Sequence, residues 1–156
     1  MKKIILVCIL TAFNSQIYAQ RAVNQYDVVK TAQEWKTVLN DLEFYVLREQ
    51  GTERPFTSPL LKIKQKGTYV CKGCQTPLFK SEHKFDSGTG WPSFDREIEG
   101  NVGYGVDYKV GYARSEEYCK TCGGHLGHVF TDGPKNTTGL RHCINGAALD
   151  FIPDTY

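Results

Sequence analysis

The chain has 156 residues, 40% of them hydrophobic and 23% charged, with a formal net charge of +2, which is the make-up of an ordinary globular protein with one core. A balance this close to neutral excludes the basic excess that nucleic-acid and membrane-surface binders depend on.

Residues 1–19 read as a secretory signal peptide. Lys2 and Lys3 form a basic start, Ile4 to Phe13 is an apolar run, and Ala19 supplies a small residue before Gln20. The run is too short for a membrane span of about 20 apolar residues; the competing reading is a buried N-terminal strand or helix. Cleavage removes two lysines, Cys8 and no acid, leaving a neutral chain with five cysteines. The expected destination is export, to the periplasm or the medium, without stable membrane association.

Residues 20–30 carry no clear pattern and read as a lead-in, with the folded domain over 31–156. Thr31 and Glu34 have the spacing of a capping box, followed by Trp35, Val38 and Leu39 at helical intervals. Asn40 or Asp41 can cap a second helix carrying Leu42, Tyr45 or Val46, and Glu49, and Gly51 supplies a stop. The apolar face of this pair reads as core packing.

Beyond Gly51, glycine and proline recur too often for helices of ordinary length. Thr68 to Val70, Val102 to Tyr112, and Val129-Phe130 favour strands. The expected fold is mainly β, with antiparallel sheets stacked behind two short N-terminal helices.

Cys71-Lys72-Gly73-Cys74 and Cys119-Lys120-Thr121-Cys122-Gly123-Gly124 are two C-x-x-C hooks. A tight turn aims both sulfurs of a hook at one centre, and two hooks compose a tetrahedral site for one structural zinc ion. The long gap between Cys74 and Cys119 means that the metal would pin distant hairpins together. Disulfides, favoured outside the cytoplasm, and iron are the rivals.

The stretch from His125 to Phe151 holds His125, His128, Asp132, Arg141, His142, Cys143 and Asn145 among loop-forming residues. Cys143 has no nearby cysteine partner and stands beside cationic groups that favour a thiolate, so it is the candidate nucleophile. His125 and His128 can supply protons near neutral pH. His83 reads as an exposed loop residue. His142 should point away from the site, because neighbours in a strand face opposite sides.

Gly88-Thr89-Gly90-Trp91-Pro92-Ser93-Phe94, the two hooks, Gly124-His125-Leu126-Gly127-His128-Val129-Phe130, Asp132-Gly133-Pro134 and Arg141-His142-Cys143-Ile144-Asn145 together resemble a methionine-R-sulfoxide reductase of the B type. The resemblance runs from about Thr31 to Phe151. It implies a tent-like, zinc-stabilised arrangement of antiparallel sheets that reduces the R epimer of methionine sulfoxide, free or in proteins. It assigns the attack to Cys143 and places His125, His128, Asp132, Arg141 and Asn145 around the reacting sulfur, with Trp91 against the S-methyl group.

Many members of that family carry a second, resolving cysteine where this chain has Thr89. The resemblance therefore implies a sulfenic acid on Cys143 that is reduced directly by an external thiol, whether a thioredoxin-like protein, a glutaredoxin system or a small thiol. Two other classes compete. A zinc-centred binding module has no use for the set Cys143, His125, His128 and Arg141. A thiol–disulfide oxidoreductase built on one hook lacks its βαβ context.

Overall fold

The computed structural model describes residues 26–155, so the expected signal peptide and the first part of the lead-in lie outside the described residues. Two helices, α1 (Ala32–Val38) and α2 (Asp41–Glu49), open the fold, each with a complete capping box: Thr31 with Glu34, and Asn40 with Glu43. Helix α2 ends one residue earlier than the glycine stop suggests. Gln50, not Gly51, takes the left-handed conformation (φ 54°), and Gly51 is needed for space, since a Cβ there would meet the Tyr45 ring. Trp35, Leu39, Val46 and Leu47 are buried, whereas Val38, Leu42 and Tyr45 face outward.

Nine strands follow: β1 (Gly67–Cys71), β2 (Pro77–Lys80), β3 (Lys84–Phe85), β4 (Ser93–Phe94), β5 (Val102–Asp107), β6 (Arg114–Cys119), β7 (His125–Phe130), β8 (Arg141–Ile144) and β9 (Leu149–Pro153). They form a three-stranded sheet, β2-β1-β9, and a six-stranded sheet, β3-β4-β8-β7-β6-β5, with every pairing antiparallel. Strand β5 stops at Asp107, short of the expected Tyr112, because the Asp107 carboxylate accepts the Lys109 N–H and Tyr108 to Gly111 close a turn.

The core lies where the sheets meet. Phe94 of the large sheet stacks on Phe79 of the small one (4.4 Å between centroids) and meets Tyr69 edge-on at 5.0 Å. Burying each such ring contributes roughly 1.5–3 kcal/mol. The helices cover a different place, the two cysteine hooks. Trp35 and Leu47 lie against Gly73, Leu47 also against Gly124, and Arg48 crosses the Trp35 ring at 4.9 Å to donate to the Cys122 carbonyl. Part of the expected lead-in is also laid on this region: Val28 N–H donates to Thr121 O, and the Tyr26 ring meets Tyr118 edge-on.

Candidate active site

Four strands of the large sheet bring one residue each into a single cross-strand row: Ser93, Cys143, His128 and Glu116. Side chains in such a row share a face, so β4, β8, β7 and β6 aim them at one place. His142, next to Cys143, points to the other face, where it is fully buried against Glu117 (2.6 Å) and Phe79.

Residues three apart on a regular strand face opposite sides. His125 and His128 nevertheless share a face. Between Tyr118↔His125 and Glu117↔Gly127 the register of β7 against β6 slips, and this bulge places the extra residue that reverses the alternation. The two rings stand 5.4 Å apart, near perpendicular. Gly127 lets the strands close here, since a Cβ at that position would overlap the Cys143 carbonyl.

Each imidazole is backed by a carboxylate. His125 Nδ1 lies 2.7 Å from Glu116 and His128 Nε2 lies 2.7 Å from Asp107, which is also ion-paired to Arg114. Burial holds both histidines below their ordinary pKa, with the carboxylates opposing. The Lys109 N–H, together with His128 and Arg114, holds Asp107 well below the usual carboxylate range.

Trp91, His128, Cys143 and Asn145 line one cleft of about 120 Å³, together with Thr52, Arg114, Gly127 and Phe130. Trp91 sits after Gly90, whose φ of 93° suits glycine alone, and its Nε1–H donates to the Glu53 carbonyl at 3.2 Å. Asn145 is clamped: its amide donates to Leu126 O and its carbonyl accepts from Glu53 N–H, both at 3.0 Å. The buried Glu53 carboxylate accepts from the backbone N–H groups of Gly146 and Ala147, tying the Trp91 support to the loop after Cys143. Glu53, Asp107 and Glu116 belong to this framework but carry no motif of their own. The alternation along β6 is the one signal that separates Glu116 from Glu117.

Arg141 and Asp132 form a two-point ion pair at 2.9 and 3.0 Å, with the guanidinium 4.4 Å over the Phe130 ring. Neither lines the cleft; they stand beside it, and His125 stands behind His128. Asp132 is held below its ordinary value by Arg141. At Cys143 the balance differs from a simple cation effect. Burial pushes the thiol up, and the Thr89 hydroxyl and Arg141 only partly pull it back. Thr89 Oγ1 lies 3.9 Å from the sulfur and heads a chain of hydroxyls through Ser87 and Ser93, in two steps of 2.8 Å, ending 3.1 Å from the Trp91 carbonyl.

A second centre is formed by Cys71, Cys74, Cys119 and Cys122, whose sulfurs all lie within 4.8 Å of one another. Neighbouring pairs are 3.5 and 3.7 Å apart, far beyond a disulfide bond of about 2 Å. Both hooks turn identically. The residue after the second cysteine is left-handed, Gln75 (φ 61°) in one and Gly123 (φ 69°) in the other, and donates to the carbonyl of the first. Gly73 packs against Trp35, while Gly123 takes the left-handed turn position of the second hook. The four cysteines form a cluster able to hold a metal ion.

A family model described as the SelR domain matches residues 39–153, which takes in both centres. The chain belongs to the SelR domain family. Relatives named peptide methionine sulfoxide reductase MsrB include one from Alteromonas mediterranea, 53% identical over 76% of this chain and 83% of its own length. One from Chromohalobacter salexigens and one from Leptospira interrogans are each 49% identical over 81% of this chain and 96% of their own. Among the described residues every strand and both hooks fall within the SelR match, and of the helices only α1 precedes it.

Proposed function

We propose that the chain reduces the R epimer of methionine sulfoxide, with Cys143 as nucleophile and one structural zinc ion on Cys71, Cys74, Cys119 and Cys122. The observation that carries the reading is the cleft that holds the Cys143 side chain together with Trp91, His128 and Asn145. A sulfur nucleophile, an aromatic wall for an S-methyl group and a carboxylate-backed imidazole are what sulfoxide reduction requires.

In this reading the Cys143 thiolate attacks the sulfoxide sulfur while His128 and His125 move two protons to the oxygen, so that a bond from Cys143 to that sulfur forms as the S–O bond breaks and the oxygen leaves as water. Arg141, held by Asp132, supplies positive charge beside the sulfur, and Asn145 orients the oxygen. Water then adds to the Cys143 sulfur with loss of a proton, the Cys143–methionine sulfur bond breaks with its electron pair passing to the methionine sulfur, and methionine departs, leaving Cys143 two electrons oxidised as a sulfenic acid. Among the described residues Cys143 is the one cysteine outside the cluster. An external thiol therefore converts the sulfenic acid to a mixed disulfide and water, and a second thiol releases Cys143. A thioredoxin-like protein and small thiols both fit this role. The basic, apolar start of the chain supports export, with oxidised methionine outside the cytoplasm as substrate.

Incubation of the wild type and Cys143→Ser with separate R and S epimers and dithiothreitol tests this. We expect turnover of the R epimer by the wild type alone. Turnover of only the S epimer, or activity that survives the substitution, would overturn it.

A further inference from the structure

Trp91 lines two cavities. One is the reactive cleft; the other, about 510 Å³, is larger and contains neither Cys143 nor either histidine of the site. Its lining includes the apolar side chains of Phe56, Ile63, Phe85 and Trp91 and the exposed lysines Lys62 and Lys64. Asp86 is the one acidic residue in the lining.

The walls of this cavity are fixed by the chain rather than left to chance. Phe56, 70% exposed, sits in the left-handed region at φ 64°, which disfavours a bulky side chain; its N–H is held by the Gly90 carbonyl at 2.8 Å. The same short segment that turns Trp91 therefore also presents the Phe56 ring. The Lys84 ammonium, also in the lining, donates to the carbonyls of Leu61 (3.0 Å) and Ile63 (3.3 Å), pinning the segment between them. Lys62 and Lys64 remain exposed, with no ion pair to an acid among the described residues.

We propose that this second cavity receives the polypeptide that flanks an oxidised methionine, and that it favours acidic flanking residues. The inference rests on the reductase reading and names its substrate class. A methionine sulfoxide side chain that enters the reactive cleft past Trp91 leaves its own backbone at that tryptophan, so the residues on one side of it continue into the larger cavity. Apolar rings there cover the peptide's side chains, and the two free lysines attract carboxylates. Free methionine sulfoxide fills only the small cleft.

Three peptides of equal length test this, each with a central methionine-R-sulfoxide and with flanks of Glu, Ala or Lys, beside free methionine-R-sulfoxide. The order of kcat/KM expected is Glu above Ala above Lys, with about a 3- to 10-fold spread at low salt that shrinks towards about 1 M salt. The variant K62E/K64E should reverse the order. Equal kcat/KM for all three peptides, a preference unchanged by the charge reversal, or free sulfoxide used as well as the peptides would overturn the proposal. Turnover of the free R epimer by the wild type reports separately on the reductase reading.

Discussion

At Cys143 two effects oppose each other, and their sizes decide how the thiol behaves. Burial favours the neutral thiol, while Thr89 and Arg141 favour the thiolate. In the resting protein Ser93 donates to the Trp91 carbonyl, which can only accept, so the hydroxyl chain runs away from the sulfur. When the thiolate forms, Thr89 must turn to donate to it, exchanging a neutral hydrogen bond for a charge-assisted one about twice as strong. The Thr89→Val variant should therefore raise the thiol pKa further and slow alkylation at neutral pH by about 10-fold, the equivalent of one lost hydrogen bond to a charged group. The measurement is the rate of Cys143 alkylation by iodoacetamide against pH. Thr89→Ser should follow the wild type, and a Val profile that coincides with the wild type would exclude a role for the hydroxyl.

Strands β7 and β8 show how an element can give neighbouring histidines opposite electrostatics. His125 and His128 on β7 lie on the cleft face, where burial depresses their pKa. His142 on β8 lies on the core face, where burial is outweighed by Glu117, Glu97 and Asp95 and the pKa is raised. The stability effects follow with opposite signs. Below about pH 6.5, the ordinary histidine value, the unfolded chain takes up protons at His125 and His128 before the folded chain does, so their contribution is lost as pH falls. The contribution of His142 is complete below that value and is lost as pH rises through its raised folded pKa. Denaturant midpoints from pH 5 to 9 should therefore peak near the ordinary histidine pKa and decline on both sides. A His142→Asn variant should lose the decline on the alkaline side, and an unchanged alkaline limb in that variant would contradict the assignment.

Across the whole molecule, the cysteine cluster lies where the two sheets and the helices come together. Cys71 ends β1 of the small sheet, Cys119 ends β6 of the large one, and α1 and α2 lie over both hooks. Zinc bonded to four sulfurs at about 2.3 Å sets them about 3.8 Å apart, close to the 3.5 and 3.7 Å observed. Structural zinc contributes on the order of 10 kcal/mol in small peptides. Removal of the proposed zinc should lower the melting temperature by roughly 10 °C or more, a fall worth a few kcal/mol in a domain of this size. Metal content and thermal unfolding, measured before and after chelation under denaturing conditions, check this. A protein that contains no metal as purified, or melts unchanged after losing it, would remove zinc from the proposal.

Local signals in the chain were sufficient for the Thr31 capping box, the paired hooks and the strands around Tyr69, Val102 and Val129, because caps, tight turns and β-branched or aromatic runs act over a few residues. The separation of Cys143 from the four clustered cysteines was equally visible in their spacing. Other features depend on pairing between distant strands. The bulge that turns His125 and His128 to one face requires β6 as a partner, and the carboxylates of Glu116 and Asp107 reach those rings only across the sheet. The upward push on Cys143 has the same origin. A cation nearby in sequence says nothing about how much water the fold removes, and here desolvation is the larger effect. Sequence alone determined which groups are available for chemistry; the tertiary structure decided which of them meet and how strongly burial alters them.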